Sequence, residues 1–304
     1  MNVLSSGWRP PPPSGVAIGV FDGVHLGHVS VLARLAESCR DRDLAMGVLT
    51  FDPHPVEVLA PSGAPVLLTP PGRRIQLLHE QGADWVGILD LRDIRTMSPE
   101  RFVSEVLVER ARAGLVSVGG DFRFGHDRAG DVHTLIERGT IHGYEVEVVE
   151  LMADERGVIS STRIRRLVQA GEVAEAAELL GRPHRVGGTV VKGDARGRSL
   201  GFPTANIIPP AGMAVPADGI YAVRVEGAAT ADGVASLGVR PTFGTSDVRL
   251  LEVHLFDYEG DLYGAKLEVD FIRRLRGEER FDSVEALVAQ MEKDAADARR
   301  VLSG

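Results

Sequence analysis

Short apolar runs alternate with helix-period stretches through the first half of the chain. Val16–Val20 reads as a strand, His28–Arg40 as a helix and Leu44–Thr50 as a second strand. The pattern predicts a helix from about Pro71 to Gln81, entered through Thr69 and Pro70, then a strand at Trp85–Leu89. Ser98 followed by Pro99 marks the start of the next helix, and Gly114 its end, because a hydroxyl caps the leading N–H groups and proline fits the first helical position. Leu115–Val118 and Tyr144–Val149 complete the strands of this half. Strands alternating with helices predict a mostly parallel sheet covered on both faces, with ligands at the carboxyl ends of its strands.

After Gly157 come two helical stretches, Ser161–Ala170 and Val173–Leu180, stopped by Gly171 and Gly181. Gly181-Arg182-Pro183 reads as a linker and sets the expected boundary, with one domain over residues 1–183 and another over 184–304. Beyond it, Arg185–Val191, Tyr221–Val225, Val234–Leu237, Leu250–Phe256 and Lys266–Ile272 read as strands without helices between them, which predicts a small antiparallel barrel. Ser283–Val301 carries Val284, Leu287, Val288 and Met291 on one face and reads as an amphipathic helix packed on that barrel.

Composition narrows the classes. The 304 residues suffice for two ordinary domains, 44% of them hydrophobic and 25% charged. A formal charge of −9 argues against a broad electrostatic grip on nucleic acid, so any nucleotide needs a local site. The single cysteine, Cys39, excludes an internal disulfide and suits a cytoplasmic protein; its spacing from Leu32, Leu35 and Ala36 makes it a core thiol. Met1 to Ser14 has a four-proline run that reads as a stiff arm rather than a signal peptide. No apolar run reaches the roughly 20 residues of a membrane span.

Two segments carry chemistry. The first, Gly19-Val20-Phe21-Asp22-Gly23-Val24-His25-Leu26-Gly27-His28, lies where the first strand gives way to the first helix. Glycines there permit close backbone approach, and the helix N-terminus is a seat for phosphate. His25 and His28 could donate hydrogen bonds to that phosphate; they could also be structural, or bind zinc with His54 as a third ligand. The second is Gly188 to Asn206, rich in glycine and holding Lys192, Arg196 and Arg198. It lacks the Gly-Lys-Ser/Thr of a Walker loop. Thr204 and Asn206 offer oxygen ligands suited to Mg²⁺, and a polar turn between strands is the alternative reading.

The first segment resembles the nucleotidyltransferase signature of the bacterial bifunctional riboflavin kinase/FAD synthetases. Three further segments match in order: Thr50-Phe51-Asp52-Pro53-His54-Pro55, Gly119-Gly120-Asp121-Phe122-Arg123-Phe124-Gly125, and Ile159-Ser160-Ser161-Thr162-Arg163-Ile164-Arg165. The run Gly197-Arg198-Ser199-Leu200-Gly201-Phe202-Pro203-Thr204-Ala205-Asn206 is similar to the flavokinase signature, and the likeness continues through Pro216–Ala222, Gly238–Phe243, Glu252–Asp257 and Asp261–Gly264. The resemblance covers about residues 16–300. It implies a Rossmann-like nucleotidyltransferase domain followed by a six-stranded flavokinase barrel with a C-terminal helix.

The resemblance also implies roles. ATP is the co-substrate of both steps, with Mg²⁺; riboflavin, FMN and FAD are substrates or products. His25, His28, Thr162 and Arg165 would hold the triphosphate, with Ser160 or Ser161 capping the next helix and Gly19, Phe21, Asp22, Gly23 and Gly27 forming the loop. Asp121 and Phe122 would lie on the flavin side. In the kinase half, Gly193, Arg196, Gly201 and Pro203 would form the nucleotide turn and Thr204 and Asn206 would carry Mg²⁺. Glu252 would be the general base, because a ribityl hydroxyl must lose a proton as it attacks whereas the FMN phosphate is already ionised. The sequence departs from the family's usual pattern at the short proline-rich arm, at Leu89-Asp90-Leu91 and at Lys192, none of which carries an assigned role. Two rivals remain: a nucleotidyltransferase for another coenzyme, and a flavin sensor that has lost catalysis.

Overall fold

The computed structural model describes residues 13–193, 197, 200–240 and 248–304. They fall into two compact units, one made of residues up to Pro65 with Thr69–Ser160, the other of Val66–Leu68 with Ser161–Gly304. The boundary expected at Pro183–His184 therefore lies inside the second unit.

The first unit is built on five parallel strands, β1 (Ser14–Ile18), β2 (Ala45–Phe51), β3 (Trp85–Leu89), β4 (Ala113–Gly119) and β5 (Glu145–Val149), in the order β3-β2-β1-β4-β5. β1 is buried along its whole length, as a central strand covered on both faces must be. Its residues alternate between two cores: Val16 and Ile18 join Leu49, Phe102 and Leu107 on one face, and Ala17 joins Leu32, Leu35 and Leu78 on the other. Helix α1 (Leu26–Arg42) supplies Leu32, Leu35 and Cys39 to that second core. Burial pushes the Cys39 thiol pKa up, which keeps it a neutral core group.

After the short helices α2 (Pro55–Leu59), α3 (Pro71–Glu80) and α4 (Leu91–Ile94), α5 (Pro99–Phe102) starts as expected, with Ser98 Oγ accepting from the Arg101 N–H. It runs on as a π-helical stretch, Val103–Arg110, and ends before the expected Gly114. Arg112, at φ 52°, makes the left-handed turn instead, and β4 is already under way at Ala113. Three helices escaped the sequence reading: the one-turn α2 and α4, and a longer one, α6 (Val132–His142). α6 opens on a capping box between Asp131 and Thr134 and closes on left-handed Gly143, signals that were present in the sequence.

In the second unit, α7 (Ser161–Ala170) and α8 (Val173–Leu180) precede a closed antiparallel barrel. After a two-stranded ribbon of β6 (Ala153–Asp154) and β7 (Gly157–Val158) earlier in the chain, the barrel strands are β8 (His184–Val191), β9 (Ala205–Ile207), β10 (Gly219–Gly227), β11 (Ala231–Arg240), β12 (Val248–Leu255) and β13 (Lys266–Arg276), in the order β10-β11-β12-β9-β8-β13. The two helices belong with the barrel because Val173 of α8 is part of the barrel core, beside Val186, Tyr221 and Phe271. Helix α9 (Val284–Leu302) covers the outside. Of the expected face, Val284 is exposed and Leu287, Val288 and Met291 are half-buried; Asp294, Ala298 and Leu302 continue that face at helical spacing and are its buried residues. Ala298 and Leu302 pack on Ala222 and Phe256, and Asp294 receives Arg276 through Nε at 2.9 Å and Nη2 at 2.6 Å.

Candidate functional site

Strand order reverses between β1 and β4, and ligands of such sheets bind at the carboxyl ends beside that switch point. The segment Gly19–His28 follows β1 and the segment Gly119–Gly125 follows β4, so the fold places both predicted loops on either side of it. The Thr50–Pro55 segment closes β2 at the same end.

The β1–α1 loop is held in an unusual shape. Phe21, Gly23 and Val24 all have left-handed backbones, at φ 52°, 87° and 40°. For a phenylalanine and a β-branched valine that conformation costs about 1–3 kcal/mol each, so neighbours must enforce it. Asp22 does so: it is 1% exposed, and its Oδ1 accepts from the Thr69 N–H at 3.1 Å and the Thr69 hydroxyl at 3.4 Å. The Gly23 N–H donates to Thr69 Oγ1 at 3.0 Å. Phe21 is buried in the α1-side core with its ring edge against His28 at 5.1 Å. Phe21 and Asp22 thus stand behind the loop as supports.

His25 and His28 stack, with ring centroids 3.7 Å apart at 20°. His25 is the N-cap of α1 and is 4% exposed; His28 is half-buried. A Cβ at Gly27 would lie 3.1 Å from both His25 Nδ1 and the Ile159 carbonyl oxygen, closer than ordinary van der Waals contact. The Ile159 carbonyl therefore lies against the first turn of α1, and Ser160, half-buried, is the next residue of that chain. Ser161, Thr162 and Arg165 begin α7, which counts with the second unit; Ile164 and Val168 bury, leaving Thr162 exposed and Arg165 half-buried. Asp121 is exposed, and Phe122 stacks on buried Phe124 at 5.6 Å. Among the described residues, no three His, Cys, Asp or Glu side chains form a group that could hold a metal ion, and His54 is occupied in capping α2 by accepting from the Val56 N–H.

The barrel brings the second set together by register. Glu252 on β12 pairs with Asn206 on β9 and with Ser236 on β11. Leu251, Val253 and Leu255 fill the barrel, so Glu252 and His254 take its outer face by period two. Directly paired residues hold their Cβ atoms about 4.5–5.5 Å apart, which sets the Glu252 carboxylate beside the Asn206 amide. Asn206 is 5% exposed, and its Oδ1 is buried with no hydrogen-bond partner among the described residues. Gly193 lies against that amide so closely that an added Cβ would collide with it. An oxygen acceptor buried and left unsatisfied is what a hard cation requires of its ligand, and the Thr204 hydroxyl lies two residues away.

His254, which the sequence left without a role, has one here. Its Nδ1 lies 2.9 Å from the Pro203 carbonyl and its ring meets Phe202 edge-on at 5.1 Å, so it fixes the chain leading into Thr204. A cavity of about 400 Å³, of a size to take a nucleoside, opens beside Thr204 and is lined also by Pro203, Leu255, Tyr258, Asp261 and Tyr263. Glu252 does not line it; the chain from Thr204 to Asn206 leads from the cavity to the carboxylate. The sequence reading met part of the Tyr258–Tyr263 wall only as the family-like segment Asp261–Gly264 and gave it no role in a site. Gly201 is exposed with φ 85°, and Arg196 lies outside the described residues.

The FAD synthetase family model matches residues 9–163, and the riboflavin kinase model matches residues 180–302. The bifunctional riboflavin kinase/FMN adenylyltransferase of Escherichia coli (strain K12) is 38% identical over 288 residues, covering 93% of this chain and 91% of its own. The chain belongs to that family. The bifunctional enzyme of Bacillus subtilis (strain 168) is 34% identical over 300 residues, covering 95% of this chain and 93% of its own. A solved Streptococcus pneumoniae structure described as a macrolide-efflux protein is 33% identical, with a TM-score of 0.85 over 94% of both chains. Efflux is said there of that protein; among the described residues of this chain, no helix is long and apolar enough to cross a membrane. The two matched segments leave 164–179 between them, most of α7 and α8, the stretch whose packing belongs with the barrel.

Proposed function

We propose that this bifunctional enzyme makes FMN at Glu252 and makes FAD at the β1–α1 loop. The overall chemistry is that of its family: riboflavin and MgATP give FMN and ADP, and FMN and ATP give FAD and pyrophosphate. In the kinase step the primary ribityl hydroxyl attacks the γ-phosphorus while Glu252 takes its proton. A base positioned in this way contributes typically about 100- to 10,000-fold. Mg²⁺, when bound, would supply positive charge against that of the transferring phosphates. Thr204 and Asn206 are the residues that would hold it, and the cavity beside Thr204 takes the adenosine.

In the adenylylation step an FMN phosphate oxygen attacks the α-phosphorus and pyrophosphate leaves. The nucleophile is already ionised, so the protein positions it and stabilises charge. We assign His25 and His28 to the triphosphate, with Ser160, Ser161, Thr162 and Arg165 serving its outer phosphates on the family motif, and Asp121 and Phe122 to the flavin. Functionally, residues 1–183 serve FAD formation and 184–304 serve FMN formation. A cytoplasmic location, where ATP is abundant, fits a chain with one buried cysteine.

The observation that carries this reading is the pairing of Glu252 with Asn206, a base candidate set opposite an unsatisfied oxygen ligand. The test feeds either riboflavin or FMN to two variants. Glu252→Gln should lose FMN formation by about 100- to 10,000-fold and keep FAD formation from supplied FMN. His28→Ala should do the reverse, losing about 100- to 1,000-fold of FAD formation. Equal loss of both activities in folded variants contradicts the division.

A further inference from the structure

Arginines are rarely buried without a carboxylate partner, because a desolvated guanidinium is costly. Arg74 departs from that rule. It lies near the start of α3, is 2% exposed, and donates from Nη2 to the Phe51 carbonyl at 2.7 Å. Its Nε and Nη1 are buried with no hydrogen-bond partner among the described residues. Burial pulls its pKa below the ordinary arginine range, while the charges of Asp22 and Asp52 raise it.

The position explains the anomaly. Phe51 ends β2, Asp52 follows it, and Asp22 sits in the β1–α1 loop, so Arg74 lies under the carboxyl ends of two central strands. That loop is assigned a polyanion, yet it carries a buried aspartate. Asp22 cannot be dispensed with, because its carboxylate fastens the left-handed turn to Thr69. Its charge, and that of Asp52, would oppose a triphosphate unless something offsets them.

We propose that Arg74 is the buried counter-charge of the adenylylation loop: it offsets Asp22 and Asp52 so that the loop accepts a nucleotide triphosphate, and it pins the Phe51 carbonyl, without touching substrate. It is a positioning residue, and the proposal rests on the reading that this loop binds ATP.

Arg74→Met removes the charge at similar length, and Arg74→Lys keeps it. In adenylylation of supplied FMN, the Met variant should raise KM for ATP about tenfold, the effect of one uncompensated charge at about 10 Å in a medium of intermediate dielectric, with kcat within about threefold of wild type. The Lys variant should stay within about threefold in KM. Adding Asp22→Asn to the Met variant keeps the acceptor oxygen for Thr69 and removes the opposing charge, so most of the lost affinity should return. A purely structural arginine would show neither the KM-selective effect nor this recovery. A wild-type KM in the Met variant, or a Lys variant as impaired as the Met variant, overturns the proposal. If the Met variant does not fold by thermal melt, the Lys variant decides: a tenfold rise in its KM for ATP overturns the proposal, and a KM near wild type supports it. His28→Ala run alongside separates the two levels. Loss of FAD formation there with a silent Arg74→Met defeats the counter-charge alone; silence in both defeats the site assignment as well.

Discussion

Asp294→Ala tests how the barrel holds its outer helix. Asp294 is 5% exposed on α9 and accepts two short bonds from Arg276, at 2.9 and 2.6 Å, and a third from Gln290 Nε2 at 2.8 Å. Removing one member of a buried pair strands the other, which costs about 3–5 kcal/mol. Arg276 keeps only partial compensation, from the Gly277 carbonyl at 2.9 Å, from Glu279 at 3.9 Å and from the Phe281 ring at 5.8 Å. The expected loss is therefore near the lower end, about 3 kcal/mol. For a unit of this size each kcal/mol moves Tm by about 2–5 °C, so the transition should fall by roughly 6–15 °C. Differential scanning calorimetry of the full chain reads it, with FMN and FAD formation followed after heating. FMN formation should fail first. Replacing both partners with methionine should recover most of the stability, since the cost lies in the stranded charge. A shift under about 2 °C in Asp294→Ala would refute the reasoning and mean that water or neighbours satisfy Arg276 in full.

Two other perturbations follow from the fold and the site. A fragment starting at Ser161 should melt higher than one starting at His184, because only the longer one keeps Val173 in the barrel core; equal melting in urea would show the two helices to be accessory. Gly193→Ala should push the Asn206 amide out of place and raise the Mg²⁺ concentration needed for half-maximal FMN formation several-fold, with FAD formation from FMN unchanged; an unaltered Mg²⁺ titration would count against Asn206 as a ligand.

Much of the fold was legible because its strands are short apolar runs separated by helical periods. β3 was read to the residue, and α7 and α8 likewise. What escaped did so for physical reasons. β9 has three residues inside a glycine-rich run, too few to show a period, so pattern alone gave five barrel strands and the family resemblance supplied the sixth. The face of α9 was read only over its first two turns, because its deepest contact farther along is a charge, Asp294, where periodicity looks for apolar residues. The motifs located both loops of the first site, yet the inward facing of Phe21 and Asp22 depends on left-handed backbone at Phe21 and Val24 that composition does not announce. Nothing in the pair Arg73-Arg74 marks either residue as buried; only packing shows that Arg74 is. The pairing of Glu252 with Asn206 is a matter of register between segments about 45 residues apart in sequence.

Closure of the barrel has a consequence for how the chain is made. Among the described residues β8 pairs with β9 and β13, and β13 is the last of the barrel strands to leave the ribosome. The parallel sheet of the first unit, by contrast, has all its strands once Val149 has emerged. Roughly 130 residues separate the two moments, which is about 6–25 s of synthesis at bacterial-to-eukaryotic elongation rates of about 5–20 residues per second. Through that interval the nascent chain carries a completed adenylylating sheet tethered to barrel strands with open edges, so the kinase half is the part of the molecule exposed to chaperones and to mispairing during translation.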